Sequence, residues 1–109
     1  MSMYAEYLTE KTDDQILEVQ EGFATYRYID EKTVYIIDIY VKPEFRRNHI
    51  AKAMADTIVR LAKEKGCQIL LGSVVPSAKG STESLKALIA YGFQLHSSQQ
   101  NFVVFKKEI

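Results

Sequence analysis

Arg46 and Arg47 stand side by side in the segment Pro43-Glu44-Phe45-Arg46-Arg47-Asn48-His49, directly before a stretch of helical periodicity. A helix start gathers free backbone N–H groups at the positive end of the helix dipole. A guanidinium beside it adds a planar head with several donors, so the combination suits an anionic phosphate. Helix starts are common, and the geometry alone does not specify that ligand. A second feature is Asp38, the one charged residue in the apolar run Val34–Val41 (VYIIDIYV). Two histidines and one cysteine give a metal site little to draw on, and none is expected.

The elements that must position these residues read from the same stretch. Val34–Val41 is β-branched and aromatic, the composition of a mostly buried strand, and Pro43, which cannot donate to a ladder, ends it near Lys42. From Ile50 the period changes: Ile50, Met54, Ile58, Leu61 and Ala62 recur at helical spacing, with charged residues largely between them, until Gly66 closes the helix. Gln68–Val75 is a second apolar run, so strand, helix and strand form a crossover with the two strands parallel.

Upstream, Ile16–Val19 and Phe23–Ile29 are strand candidates separated by a bend at Glu21-Gly22, and Asp30–Thr33 turns the second into the central strand. Phe23, Thr25, Arg27 and Ile29 share one face of their strand; Ala24, Tyr26 and Tyr28 share the other. Downstream, Ser81 or Thr82 caps a helix to about Tyr91, Gly92 ends it, and Phe93–His96 with Asn101–Lys106 makes a last hairpin. Residues 1–15 are open between strand, helix and disorder. The order β-β-β-α-β-α-β-β predicts an α/β (α+β) fold with a mixed, mostly antiparallel sheet and one β-α-β crossover.

Composition narrows the class. A chain of 109 residues, 47% hydrophobic and 26% charged, predicts one globular domain over residues 1–109. No apolar run spans a membrane and the acidic N-terminal segment is no signal peptide, so neither membrane nor secretion is expected. A lone cysteine fits a cytoplasmic setting, with Cys67 as a buried small hydrophobe. Charge is zero overall but uneven. Residues 1–33 carry eight acidic against three basic side chains, a balance of −5, and residues 42–65 carry seven basic against three acidic, a balance of +4. The basic segment suits a polyanion or an ordinary solvated helix face. A neutral chain is not built as a nucleic-acid binder.

The residues YVKPEFRRNHIAKAMADTIVRLAKEKG resemble the cofactor motif of the GNAT superfamily of acyl-CoA N-acyltransferases. That pattern is a strand ending V-x-P-x-[YF]-R, then R/Q-x-x-G-x-G/A opening a helix. Val41, Pro43, Phe45, Arg46, Ile50 and Ala51 match; His49 replaces the first motif glycine. The resemblance extends to about Phe93 and implies a short family core, without most of the strand and two helices that normally precede it.

The resemblance implies acetyl-CoA as cofactor, its pyrophosphate on the amides of Arg46, Arg47, Asn48, His49, Ile50 and Ala51, with Arg46 or Arg47 adding a direct contact. It implies a pantetheine arm in a splay between the two parallel strands, paired with the backbone of Ile39 and Val41. Ser81 stands where the family often starts its next helix with asparagine. The implied reaction is acetyl transfer to an amine of a small molecule or peptide, for which Asp38 is the base candidate. The family's thiolate donor, a tyrosine four residues before the glycine of Y-x-x-x-G-F, is Leu88 here, leaving Tyr40 as substitute; Tyr91 sits next to the glycine and turns away. The rival expectations are a degenerate CoA-binding or interaction module on the same fold, and an unrelated small α/β regulatory domain. The absent early helices imply an uncovered sheet face and a homodimer.

Overall fold

A computed structural model describes residues 2–109. Helix α1 (Met3–Lys11) is followed by strands β1 (Gln15–Val19), β2 (Gly22–Asp30) and β3 (Thr33–Val41). A single 3-10 turn (Pro43–Phe45) leads into α2 (Ile50–Glu64), then β4 (Ile69–Val74), α3 (Ser81–Tyr91), β5 (Gln94–Gln99) and β6 (Phe102–Glu108). The strands form one sheet in the order β1-β2-β3-β4-β6-β5, parallel between β3 and β4 and antiparallel elsewhere.

The two sheet faces are covered unequally. Helix α2 buries Met54, Ile58 and Ala62 against Ala24, Tyr26, Val34, Leu70 and Val74, and Leu88 and Tyr91 of α3 pack against the same cluster. These apolar positions alternate with outward-facing ones along β2 and β4, as a half-buried sheet requires. Among the described residues the opposite face receives only α1. Its Ala5 and Leu8 are buried, its Tyr4 ring lies 6.0 Å from Phe23, and Ser2 caps it by accepting the Ala5 N–H while donating to Glu18.

Two boundaries differ from the sequence reading. Residues 3–11, open between strand and helix, are helical; Met1, at the head of that segment, lies outside the described residues. Thr12 caps the helix end, its N–H and hydroxyl both on the Leu8 carbonyl. The last hairpin is longer than expected, with its turn at Gln100-Asn101 and not across Ser97–Gln100. Every residue of β5 is exposed, so this edge strand carries no apolar alternation to betray its length. Cys67 is buried just ahead of β4, and burial pushes its thiol pKa up.

Candidate functional site

Strands β3 and β4 pair only from Thr33–Tyr35 to Ile69–Leu71. Beyond that point β3 stays bonded to β2 and β4 stays bonded to β6, so their facing edges part into a cleft. The backbone groups that look into it follow from ladder alternation. Lys42 N–H donates to the Glu21 carbonyl at 2.8 Å. Gly22, paired with Val41, lies so close to β3 that a Cβ there would overlap the Tyr40 carbonyl oxygen. Tyr40 and Lys42 therefore direct their hydrogen-bonding edges toward β2, and Ile39 and Val41 turn theirs into the cleft. The side chains of both pack on the core, leaving only main-chain groups for a ligand.

The cleft's open end meets the start of α2. A pocket of about 430 Å³ is lined by Val41, by Phe45, Arg46, Arg47 and His49 of the turn, and by Ile50 and Ala51. Asn48 alone of the residues from Arg46 to Ala51 does not line it. The first N–H with an intrahelical acceptor is that of Ala53, on the His49 carbonyl at 3.0 Å. No side chain caps this end, so Ile50, Ala51 and Lys52 keep unpaired donors, and the first turn holds no acidic residue. His49 adopts the left-handed conformation, φ 60° and ψ 22°, that the motif glycine would supply, and Arg47 is also left-handed at φ 67°. The substitution thus keeps the backbone path at the expense of some strain.

The two arginines are not equivalent. Arg46 folds back: its Nε donates to the Val41 carbonyl at 3.0 Å and its guanidinium lies 5.9 Å from the Tyr40 ring centroid. One of the two Val41 backbone groups facing the cleft is thereby occupied. Arg47 has no ion-pair or hydrogen-bond partner among the described residues, and its charge is available at the pocket wall.

The catalytic candidates lie on the α1 face. Pairing of Tyr26 with Ile36 and Thr25 with Asp38 leaves Ile37 as an extra residue. This bulge inverts the alternation midway along β3. Asp38 and Tyr40 consequently turn away from α2, and both are exposed. Tyr40 stacks against Phe23 at 5.6 Å, which in turn meets Tyr4.

Along α3 the candidate residues do not join the pocket. Ser81 lines a separate groove with Val74, Pro76 and Leu85, and its hydroxyl donates to the Pro76 carbonyl at 2.7 Å. Leu88 packs beneath Gly72 of β4. Tyr91 rests its ring against the core and donates its hydroxyl to Asp56 of α2 at 2.6 Å; burial first, then that carboxylate, pushes its pKa up. A pair that sequence reasoning missed is Tyr35 and Ser73, whose hydroxyls meet at 2.5 Å across the point where the strands part. Thirty-eight residues separate them, and only the strand register brings them together.

Known proteins share this architecture. The sequence model of the acetyltransferase (GNAT) family matches residues 7–95. Over 57 residues the chain is 35% identical to thialysine N-epsilon-acetyltransferase of Bos taurus, covering 52% of this chain and 34% of that protein, so the match spans about a third of that protein's length. PaiA N-acetyltransferase from Thermoplasma acidophilum, solved in complex with coenzyme A, superposes with a TM-score of 0.79 at 16% identity, over 95% of this chain and 66% of that one. A GNAT family acetyltransferase from Elizabethkingia anophelis with acetyl-CoA bound gives 0.74 at 18% identity, over 98% and 82%. At such identities the two structures establish a common fold.

Proposed function

Because the chain belongs to the GNAT acetyltransferase family, we propose that it binds acetyl-CoA at the start of α2 and transfers the acetyl group to a cationic amine. One observation carries this reading: the uncapped N-terminus of α2 opens onto the same cleft as the free backbone edges of Ile39 and Val41. Phosphates fit the first, and the amides of an extended pantetheine arm fit the second. Bound there, acetyl-CoA would supply an activated acyl thioester.

The residues divide the work. N–H groups of Ile50 and Ala51, with the Arg47 guanidinium, hold the pyrophosphate; the left-handed turn at Arg47 and His49 aims them. Ile39 N–H and C=O and Val41 N–H align the arm, and fixed alignment of this kind supplies much of the rate in acyl transfer. Asp38 accepts a proton from the incoming ammonium on the α1 face. The acceptor approaches over Tyr40, Phe23 and Tyr4, next to the acidic first third of the chain, a surface of aromatic rings and carboxylates that suits a cation. The Tyr40 ring already holds one, the Arg46 guanidinium.

A second reading has its own support. Leu88 occupies the hydroxyl position on α3 implied by the motif, which favours a CoA-binding module without turnover. Acetylation assays of a polyamine, a lysine peptide and a neutral amine, run beside calorimetric titration with acetyl-CoA, separate the two. Product from the cationic acceptors supports transfer. Binding without product supports the module, and absence of binding rejects both.

A further inference from the structure

Tyr35 is the last residue of β3 paired with β4, and its hydroxyl meets Ser73 Oγ at 2.5 Å, two residues farther along β4 where that strand's inner edge is free. By alternation both side chains stand on the α1 face, opposite the buried Val34, Leu70 and Val74. Arg27 lies directly across from Tyr35 on β2, ion-paired with Asp14 at 2.5 Å.

The cleft has one closed end, and the pair sits at it. From Val41 to Ile36 the open edge of β3 covers five residue steps, about 16 Å at ~3.3 Å per residue. An extended ligand anchored by phosphates at α2 can run no deeper than the Tyr35–Leu71 pair, because the strands are bonded to each other beyond it. The sulfur, at the opposite end of such a ligand from its phosphates, is therefore directed toward these two hydroxyls. On α3 the position implied for the donor holds the apolar Leu88, and the Tyr91 hydroxyl is committed to Asp56. Tyr40 stands at the open end, against Arg46 and Phe23.

We propose that Tyr35, relayed by Ser73, is the acid that protonates the departing thiolate; this rests on the acetyl-CoA reading above. The amine nitrogen bonds to the acyl carbon, the C–S bond breaks, and Tyr35 O–H gives its proton to the sulfur. Tyr35 regains a proton from Ser73, which is refilled by the proton leaving the nitrogen. In sum, an ammonium and a thioester give an amide, a thiol and one proton released to solvent.

The test uses the full chain and the variants Tyr35→Phe, Ser73→Ala and Ser73→Thr, titrated with CoA and desulfo-CoA and assayed with one accepted amine. The wild type is expected to bind CoA several-fold more tightly than desulfo-CoA. Tyr35→Phe should erase that preference while leaving desulfo-CoA affinity unchanged, and lower turnover roughly 100-fold, the scale of a lost general acid. Ser73→Ala should fall between, and Ser73→Thr should recover. A Tyr35→Phe or Ser73→Ala protein that keeps both the preference and the turnover overturns this inference alone. A wild type that binds neither ligand overturns the cofactor reading with it, and one that binds but acetylates no amine overturns the acid role.

Discussion

The two helices that follow the parallel strands begin alike and differ in what surrounds their first turns. Both start from a left-handed residue without a side-chain cap, His49 before α2 and Gly80 before α3. In α3 the first turn carries Glu83, which answers the helix dipole from within, and Ser81 spends its hydroxyl on Pro76. In α2 the first turn has no acid, two arginines precede it, and the free N–H groups face a pocket at the cleft mouth. An anion is wanted at one helix start and already supplied at the other. That contrast is the reason we place the proposed cofactor contacts on the β3–α2 turn and not at Ser81.

The walls beneath the two helices can be broken to different degrees. Gly22→Ala drives a Cβ into the Tyr40 backbone and should destabilise the fold by about 3 kcal/mol or more, read as a fall in melting temperature. Gly72→Ala meets only the Leu88 and Phe93 side chains, at 3.0 and 3.4 Å, and should cost about 1 kcal/mol or less. The helix starts themselves are separated by matched acids. Ala51→Asp should weaken CoA binding about 100-fold, or about 2.7 kcal/mol, whereas Thr82→Asp at the equivalent position of α3 should leave it unchanged.

Replacing Arg46 and Arg47 together by alanine should weaken CoA about tenfold, about 1.4 kcal/mol, with a reduced salt dependence in the titration. Most of that loss should come from Arg47, since Arg46 is engaged by Val41 and Tyr40. His49→Gly should relieve the left-handed strain and stabilise the fold by roughly 0.5–1 kcal/mol without loss of CoA affinity, and His49→Val should destabilise it by about 1–2 kcal/mol in denaturant melts.

The smallest effect concerns the contact between the helices. The Tyr91 hydroxyl, and after it Lys52, holds the Asp56 carboxyl below its usual pKa. A carboxyl depressed in the folded state stabilises it above the unfolded value near 4 and loses that contribution as pH falls through the folded value. Tyr91→Phe should therefore be slightly less stable than wild type at pH 6–7, by less than about 1 kcal/mol for so exposed a pair, and the gap should close as pH falls through the lowered folded-state value.

What the sequence made legible was local. Apolar runs and the change of period at Ile50 placed the β3–α2–β4 unit within a residue or two, and Arg46 and Arg47, which precede the helix in sequence, line the pocket at its start. Long-range register was not legible. The unmatched Ile37 sets the face of Asp38, yet nothing in VYIIDIYV marks it; unbroken alternation would put Asp38 on the buried face of Val34. Tyr35 and Ser73 meet for the same reason. Helix α1 buries only Ala5 and Leu8, too few apolar positions to impose a readable period.

Calorimetric titration of CoA into the wild type and the Ala51→Asp variant addresses the anion site at the start of α2 most directly. Micromolar binding by the wild type, lost in a variant that still melts like its parent, is the expected result. No binding by the wild type at millimolar CoA, or equal binding by both proteins, would contradict a phosphate site on that turn.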